Sequence, residues 1–261
     1  MLYLIATPIG NLGDFTFRAS KLLENVDLIL CEDTRTSGVL LKAYGIKKPL
    51  KSYHIFNAAQ VEDEIIRQLH EGKEIALLSD AGTPGISDPG ERLVSRCQKE
   101  GILVSALPGP CAPIMALTIS GLPTEMFQFI GFLPKKAGEE RTLLAKALGY
   151  EGTTICFESP NRIYKTLELI KEMAPTRTLV IARELTKIHE EVLKGTAEEL
   201  SKHTLRGEIV LLIAPAPPLD FTALTPQQHV ELLQKEYGIS KQEAIKMAAQ
   251  LRGTSKKEIY F

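Results

Sequence analysis

Residues 74–90 read EIALLSDAGTPGISDPG, and the fold turns on how this stretch divides. Its first part is a short apolar run, Ile75-Ala76-Leu77-Leu78, which reads as a strand. Its second part crowds three glycines and two prolines into positions 79–90, the composition of a loop. Around it the same punctuation repeats. Apolar runs at 2–6, 27–31, 50–54, 74–79 and 102–107 read as strands. The segments 15–26, 37–44, 61–70, 90–100 and 111–120 carry apolar residues at helical spacing. Strictly alternating strand and helix predicts a parallel sheet with helices on both faces.

Gly121-Leu122-Pro123-Thr124 breaks the pattern and is the expected domain boundary. Beyond it, strands are expected at 127–132, 153–157, 178–183, 191–195 and 209–214, with helices at 139–148, 162–173 and 197–203. The short connection between 191–195 and 209–214 predicts a mixed sheet. Pro215-Ala216-Pro217-Pro218 reads as a stiff linker. Three short helices follow, at 226–237, 241–251 and 255–261, broken by Gly238 and Gly253. The expected organisation is therefore 1–121, 122–215 and a linker with helical extension at 216–261. The last 22 residues hold Lys241, Lys246, Arg252, Lys256 and Lys257 against Glu243 and Glu258, a basic excess that suits either a solvated cap or a nucleic-acid contact.

Composition narrows the function classes. The 261 residues carry a net charge of −1, and 44% are hydrophobic and 24% charged. That is a globular composition, and it excludes a protein that coats nucleic acid generally. The uncharged run 101–124 is long enough for a membrane span, but Pro108, Pro110, Pro113 and Pro123 interrupt it. Cys31, Cys97, Cys111 and Cys156 have no CxxC or zinc-ligand spacing; buried thiols in a reducing cytoplasm are expected, and no metal site. GxxxxGK[ST], GxGxxG, HExxH and GxSxG are all missing, which counts against P-loop, dinucleotide-binding, zincin and α/β-hydrolase chemistry.

Glycine and proline instead collect after three strands, at 7–14 (TPIGNLGD), 79–90 and 108–113 (PGPCAP). In open α/β sheets, ligands sit beyond the carboxyl ends of the strands, and glycine lets backbone groups approach them. No lysine cradles a polyphosphate here. Asp80 and Asp88 suit a ligand with hydroxyl or ammonium donors. The residues alone therefore imply an α/β enzyme with a small polar cofactor at a sheet edge.

Seven blocks in order, TPIGNLGD (7–14), CEDTR (31–35), SDAGTPGISDPG (79–90), LPGPCA (107–112), GFLP (131–134), FES (157–159) and ARELTK (182–187), carry a resemblance. The chain resembles the tetrapyrrole methylase superfamily and, within it, the bacterial small-subunit ribosomal RNA cytidine 2′-O-methyltransferases. The match covers roughly 1–215, and the tail is similar to that family's helical extension. The resemblance implies an α/β class III methyltransferase fold of two domains, a homodimer, and S-adenosylmethionine bound between the domains. It also implies ribose methylation in the decoding region of the small-subunit RNA, with the assembled small ribosomal subunit as partner. Carried over block by block, it implies cofactor contacts from Leu12 and Gly13, and from Asp80, Ala81, Gly82, Thr83, Pro84 and Ile86. Cys111, Ala112, Glu158 and Leu185 complete the set. Where the superfamily usually has Gly-Asp-Pro, this chain has Gly82-Thr83-Pro84. Its first loop also departs from the superfamily's glycine-richer form, which points towards the RNA branch.

A transfer to a 2′-hydroxyl needs alignment and a proton acceptor. The candidates are Glu184 and Lys187 as base, with Asp33 and Arg35 beside them and Glu32 in the same block. Arg35, Arg162 and Arg183 are candidates to grip phosphates, His54 to accept a proton or touch RNA, and Lys135 and Lys136 to form a substrate lid. Two other readings stay open: a tetrapyrrole methyltransferase of the same fold, and a non-catalytic ribosome-binding factor.

Overall fold

Every residue of Ile75–Leu78 (β4) is buried, and its alternation sorts the first core into two layers. Ile75 and Leu77 face one side with Ile65, Ile66, Leu69 and Leu93. Ala76 and Leu78 face the other with Phe15, Leu23, Leu40 and Leu41. The computed structural model describes residues 1–217, 224–237 and 239–259.

Leu2–Ile5 (β1) pairs with β4 on one side and with Val104–Leu107 (β5) on the other; Leu28–Cys31 (β2) pairs with β4 and with Leu50–Ser52 (β3). All pairs are parallel, in the order β3-β2-β4-β1-β5. Phe17–Leu23 (α1) and Thr34–Ala43 (α2) cover one face; Ala58–His70 (α3) and Glu91–Lys99 (α4) cover the other. The expected parallel sheet with helices on both faces is the observed one.

The second sheet holds Phe127–Phe132 (β6), Thr153–Glu158 (β7), Leu179–Arg183 (β8), Glu191–Gly195 (β9) and Ile209–Ile213 (β10), in the order β6-β7-β10-β8-β9. Only the β6–β7 pairing is parallel, and β10 pairs antiparallel with β7 and β8 and β9 with β8, so the sheet is mixed as expected. One face is covered by Ala137–Leu148 (α6), Ile163–Met173 (α7) and Ala197–Leu200 (α8). The other is covered by Ala112–Ser120 (α5), whose Ala116 and Leu117 pack on Ile155, Val180, Val210 and Leu212. The helix before the expected boundary therefore rests on the sheet after it. Gly121 caps α5 in the left-handed region, φ +63°, a conformation that favours glycine. Both sheets belong to one compact unit, Met1–Ala216.

Pro217–Phe261 is a second unit. Within it, Pro226–Tyr237 (α9), Lys241–Arg252 (α10) and Lys256–Ile259 (α11) share a small core of Val230, Leu233, Ile245, Ala248 and Ile259. Ser240 and Glu243 form a capping box and Gly253 ends α10 at φ +63°. Arg252 donates to His229 Nδ1 at 2.9 Å, so one of the five tail cations serves the tail's own packing. The expected linker residue Pro218, the break at Gly238 and the chain end at Phe261 lie outside the described residues. Among those described, no helix is long and apolar enough to cross a membrane.

Ile155→Ala would open a void between β7 and α5, and is expected to cost about 2–5 kcal/mol of stability, read from urea unfolding.

Candidate active site

Three loops leave the carboxyl ends of β1, β4 and β5 and are tied to one another. Thr7 and Gly82 exchange backbone hydrogen bonds at 2.8 and 3.0 Å. Thr7 Oγ1 donates to Ser79 O at 3.1 Å, and Ser79 Oγ to Gly82 O at 2.7 Å. Thr83 Oγ1 reaches Pro110 O at 3.0 Å, which joins the third loop. Two glycines are dictated by this closeness. Gly82 sits at φ +81°, and a Cβ on Gly109 would lie 2.8 Å from that of Ala6.

The loops form one wall of a cavity of about 350 Å³, within the size range of small-molecule sites. The second sheet supplies the facing wall through Phe132, Phe157–Pro160, Ala182, Leu185 and 207–210. Apolar side chains make up much of the lining. The polar share includes four carboxyl groups, those of Asp80, Asp88, Glu158 and Glu208, and no Lys, Arg or His among the described lining residues. Such a site rejects polyphosphates and suits a cationic ligand rich in hydroxyl or amine donors.

Three of the four carboxylates are held. Asp80 Oδ1 accepts the Asp33 N–H at 3.1 Å. Glu158, 3% exposed, accepts the Ser159 N–H at 2.7 Å and the Thr166 hydroxyl at 2.9 Å. Glu208 takes the Lys187 ammonium at 3.1 Å. Burial, reinforced by the charges of Glu32 and Asp80, pushes the Asp88 carboxyl up to about 6.

Every residue expected to touch a cofactor lines this cavity except Leu12, Gly13 and Pro84. Leu12 and Gly13 form a 3-10 turn capped by Asn11, and Leu12 borders a neighbouring groove with Gly10, Ser37, Lys187 and Glu208. Pro84 is buried within its loop. Phe132, Pro160 and 207–210 did not stand out in the sequence. Phe132 belongs to the GFLP block, but nothing local marks 207–210 as facing a site.

A second groove joins Glu32–Arg35 to Ser52 and to the loop of His54, Ile55 and Phe56. Asp80 lines this groove, the first groove and the cavity. Asp33 caps α2 by accepting the Arg35 N–H at 2.8 Å and ion-pairs its guanidinium at 2.6 Å. These contacts hold its carboxyl down at about 2. The Arg35 side chain is still 90% exposed. Phe56 is 92% exposed, and among the described residues His54 Nδ1 is buried with no partner.

The two expected bases are occupied. Glu184, at φ +51°, accepts the Glu208 N–H at 2.8 Å and the Lys187 ammonium at 3.0 Å; both hold its pKa below the ordinary value. Burial pulls Lys187 down, but hydrogen bonds to Glu184 and Glu208 outweigh it and leave the amine raised. Its neighbours are carboxylates rather than cations, so it stays charged. Two expected phosphate grips are structural instead. Arg162 donates to Leu133 O at 3.0 Å and Pro134 O at 2.7 Å, and ion-pairs buried Glu140 and Glu158 at 3.3 and 3.5 Å. Arg183 pairs with Glu191 at 2.8 Å. Lys135 and Lys136 are exposed outside the cavity, with Lys136 on Glu139 at 3.1 Å.

Arg162→Ala would strand two buried carboxylates and is expected to cost about 3 kcal/mol or more. Arg35→Ala is expected to change stability by under about 0.5 kcal/mol. Paired urea titrations distinguish the two.

Residues 1–201 match the family model described as tetrapyrrole (corrin/porphyrin) methylases. The chain is 42% identical to the ribosomal RNA small subunit methyltransferase I of Mesorhizobium japonicum, over 99% of this chain and 90% of that protein. It is 48% identical to the protein of the same name from a Hydrogenobaculum strain, over 82% and 95%. Among solved structures it resembles a cobalt precorrin-4 methyltransferase (TM-score 0.60, 18% identity, 82% of this chain and 94% of that one). It also resembles the Thermus thermophilus uroporphyrin-III C-methyltransferase complexed with S-adenosylhomocysteine (TM-score 0.57, 16% identity, 82% and 96%). The likeness to these structures is one of fold.

Proposed function

The chain belongs to the tetrapyrrole (corrin/porphyrin) methylases, and from that premise we propose that it methylates small-subunit ribosomal RNA with S-adenosylmethionine. The observation that carries this is the alignment, nearly end to end, with a relative named for that activity. The finer reading is transfer to the 2′-oxygen of a cytidine in the decoding region, by a cytoplasmic homodimer acting on the assembled subunit. In it, 1–121 supply most cofactor contacts, 122–215 complete the wall and 216–261 form the extension.

The cavity suits the cofactor. Ile9, Ile86, Phe132, Phe157 and Leu185 offer apolar surface for an adenine ring, and the carboxylates offer acceptors for ribose hydroxyls and an ammonium. When bound, the sulfonium supplies an already activated methyl group. The protein's share is orientation, exclusion of water and disposal of a proton. The groove of Arg35 and Phe56 adjoins the cavity at Asp80, and it offers a guanidinium for phosphate and a ring on which an unstacked base can lie.

Small ribosomal subunits from cells lacking the protein, incubated with methyl-labelled cofactor, are expected to gain one 2′-O-methyl cytidine. Label on a porphyrinoid instead, or no transfer to RNA by cofactor-loaded protein, would overturn the reading. Phe56→Ala is expected to raise KM for the subunit about 5-fold or more without altering cofactor affinity by calorimetry.

A further inference from the structure

We propose that Ile55 and Phe56 form a wedge that enters the RNA strand beside the target nucleotide and frees its ribose to reach the cavity, with Asn57 as the positioning residue that holds the wedge out; this rests on the reading above. The two side chains are neighbours in the loop between β3 and α3, 75% and 92% exposed. A single exposed apolar residue is ordinary. Two adjacent bulky ones, held in water by a tied backbone beside a groove, are apolar surface kept for a partner. The ties are local and numerous. The Tyr53 N–H donates to Cys31 O at 2.8 Å. Its buried hydroxyl donates to Glu62 at 3.0 Å, and Arg92 pairs with the same carboxylate at 2.9 Å. Ser52 Oγ donates to Glu32 O at 3.2 Å. Asn57 closes the loop: its Oδ1 accepts the His54 N–H at 2.8 Å, and its Nδ2 donates to Ser52 O at 3.0 Å. Asn57 is also the N-cap residue of α3, yet its side chain makes no capping bond. A side chain suited to cap a helix is spent instead on the segment before it. The Phe56 ring stands in T-shaped contact with that of His54, centroids 6.1 Å apart.

The surroundings select the occupant. The groove that Ile55 and Phe56 line is otherwise polar, with Asp33, Arg35, Ser52 and His54 among its residues, and it meets the cavity at Asp80. This pair supplies its only large apolar side chains among the described lining residues. A protein partner needs a broad apolar centre, whereas a gap between two bases is filled by one or two such side chains. Arg35, exposed in the same groove, supplies a cation for an adjoining phosphate. For a 2′-oxygen to reach a methyl group inside the cavity, its nucleotide must leave the continuous stack. The wedge takes the place it vacates, and continuity of the groove with the cavity puts that place beside the reacting atoms.

The test uses small subunits lacking the modification. Wild type is compared with Phe56→Tyr, Asn57→Ala, Asn57→Asp and the double variant Ile55→Ala with Phe56→Ala. With S-adenosylhomocysteine present, wild type is expected to raise 2′-hydroxyl acylation at the nucleotides flanking the target cytidine, a reaction that reports unstacked riboses. The double variant should lose that signal and about 30-fold or more in kcat/KM, with kcat lowered as well as KM raised. Because both side chains are on the surface, its Tm should stay within about 2 °C. Phe56→Tyr should keep signal and rate. Asn57→Ala should lose the signal, and Asn57→Asp, which keeps the acceptor for His54, should recover part of it. Equal acylation with wild type and the double variant, or a double-variant rate within about 3-fold of wild type, would overturn the wedge. Binding lost to whole subunits but kept on protein-free RNA would also overturn it, since the partner would then be a protein. Full signal and rate in Asn57→Ala would remove the role of Asn57. If wild type binds cofactor but labels no subunit, the underlying reading fails; if it labels subunits without unstacking the flanking nucleotides, only the wedge is wrong.

Discussion

The backbone pairing of Thr7 with Gly82 is the constraint on which the rest depends. It clamps the loop after β1 to the loop after β4, and Thr83 extends the clamp to the loop after β5. A loop at a strand end is ordinarily the most variable part of an α/β sheet. Here two reciprocal backbone hydrogen bonds and three buried or half-buried hydroxyls leave little freedom. Asp80 is thereby set where a cavity and two grooves meet. Gly82 and Gly109 follow from the clamp, because side chains there would hold the loops apart.

Electrostatics at the site follow from what the lining lacks as much as from what it holds. With four acids and no cation among the described lining residues, the interior favours positive charge, and a sulfonium cofactor meets that preference. Two arginines near by are spent elsewhere. Arg162 holds the carbonyls that precede α6 and neutralises two buried glutamates, and Arg183 braces β8 against Glu191. Burial, with the like charges of Glu32 and Asp80 near it and no donor among the described residues, pushes the Asp88 carboxyl up to about 6.

The role of α5 shows how the two sheets become one unit. It follows β5 in the chain but covers the second sheet with Ala116 and Leu117, so the cavity walls are joined through a packed helix rather than a free hinge. The tail, by contrast, closes on a core of its own.

Local sequence determined a good deal. The apolar runs and glycine breaks marked the strands and helices of both sheets, because burial period and turn chemistry act over a few residues. The glycine-rich blocks also located most of one cavity wall, since close backbone approach demands glycine wherever the loops go. What only tertiary structure decided concerns partners far apart in the chain. That α5 serves the second sheet, that 207–210 and Phe132 close the cavity, and that Glu184 and Lys187 neutralise each other beside Glu208 all depend on long-range packing. A side chain's charge can be read from the sequence, but its availability is set by the donors that folding brings within 3 Å of it.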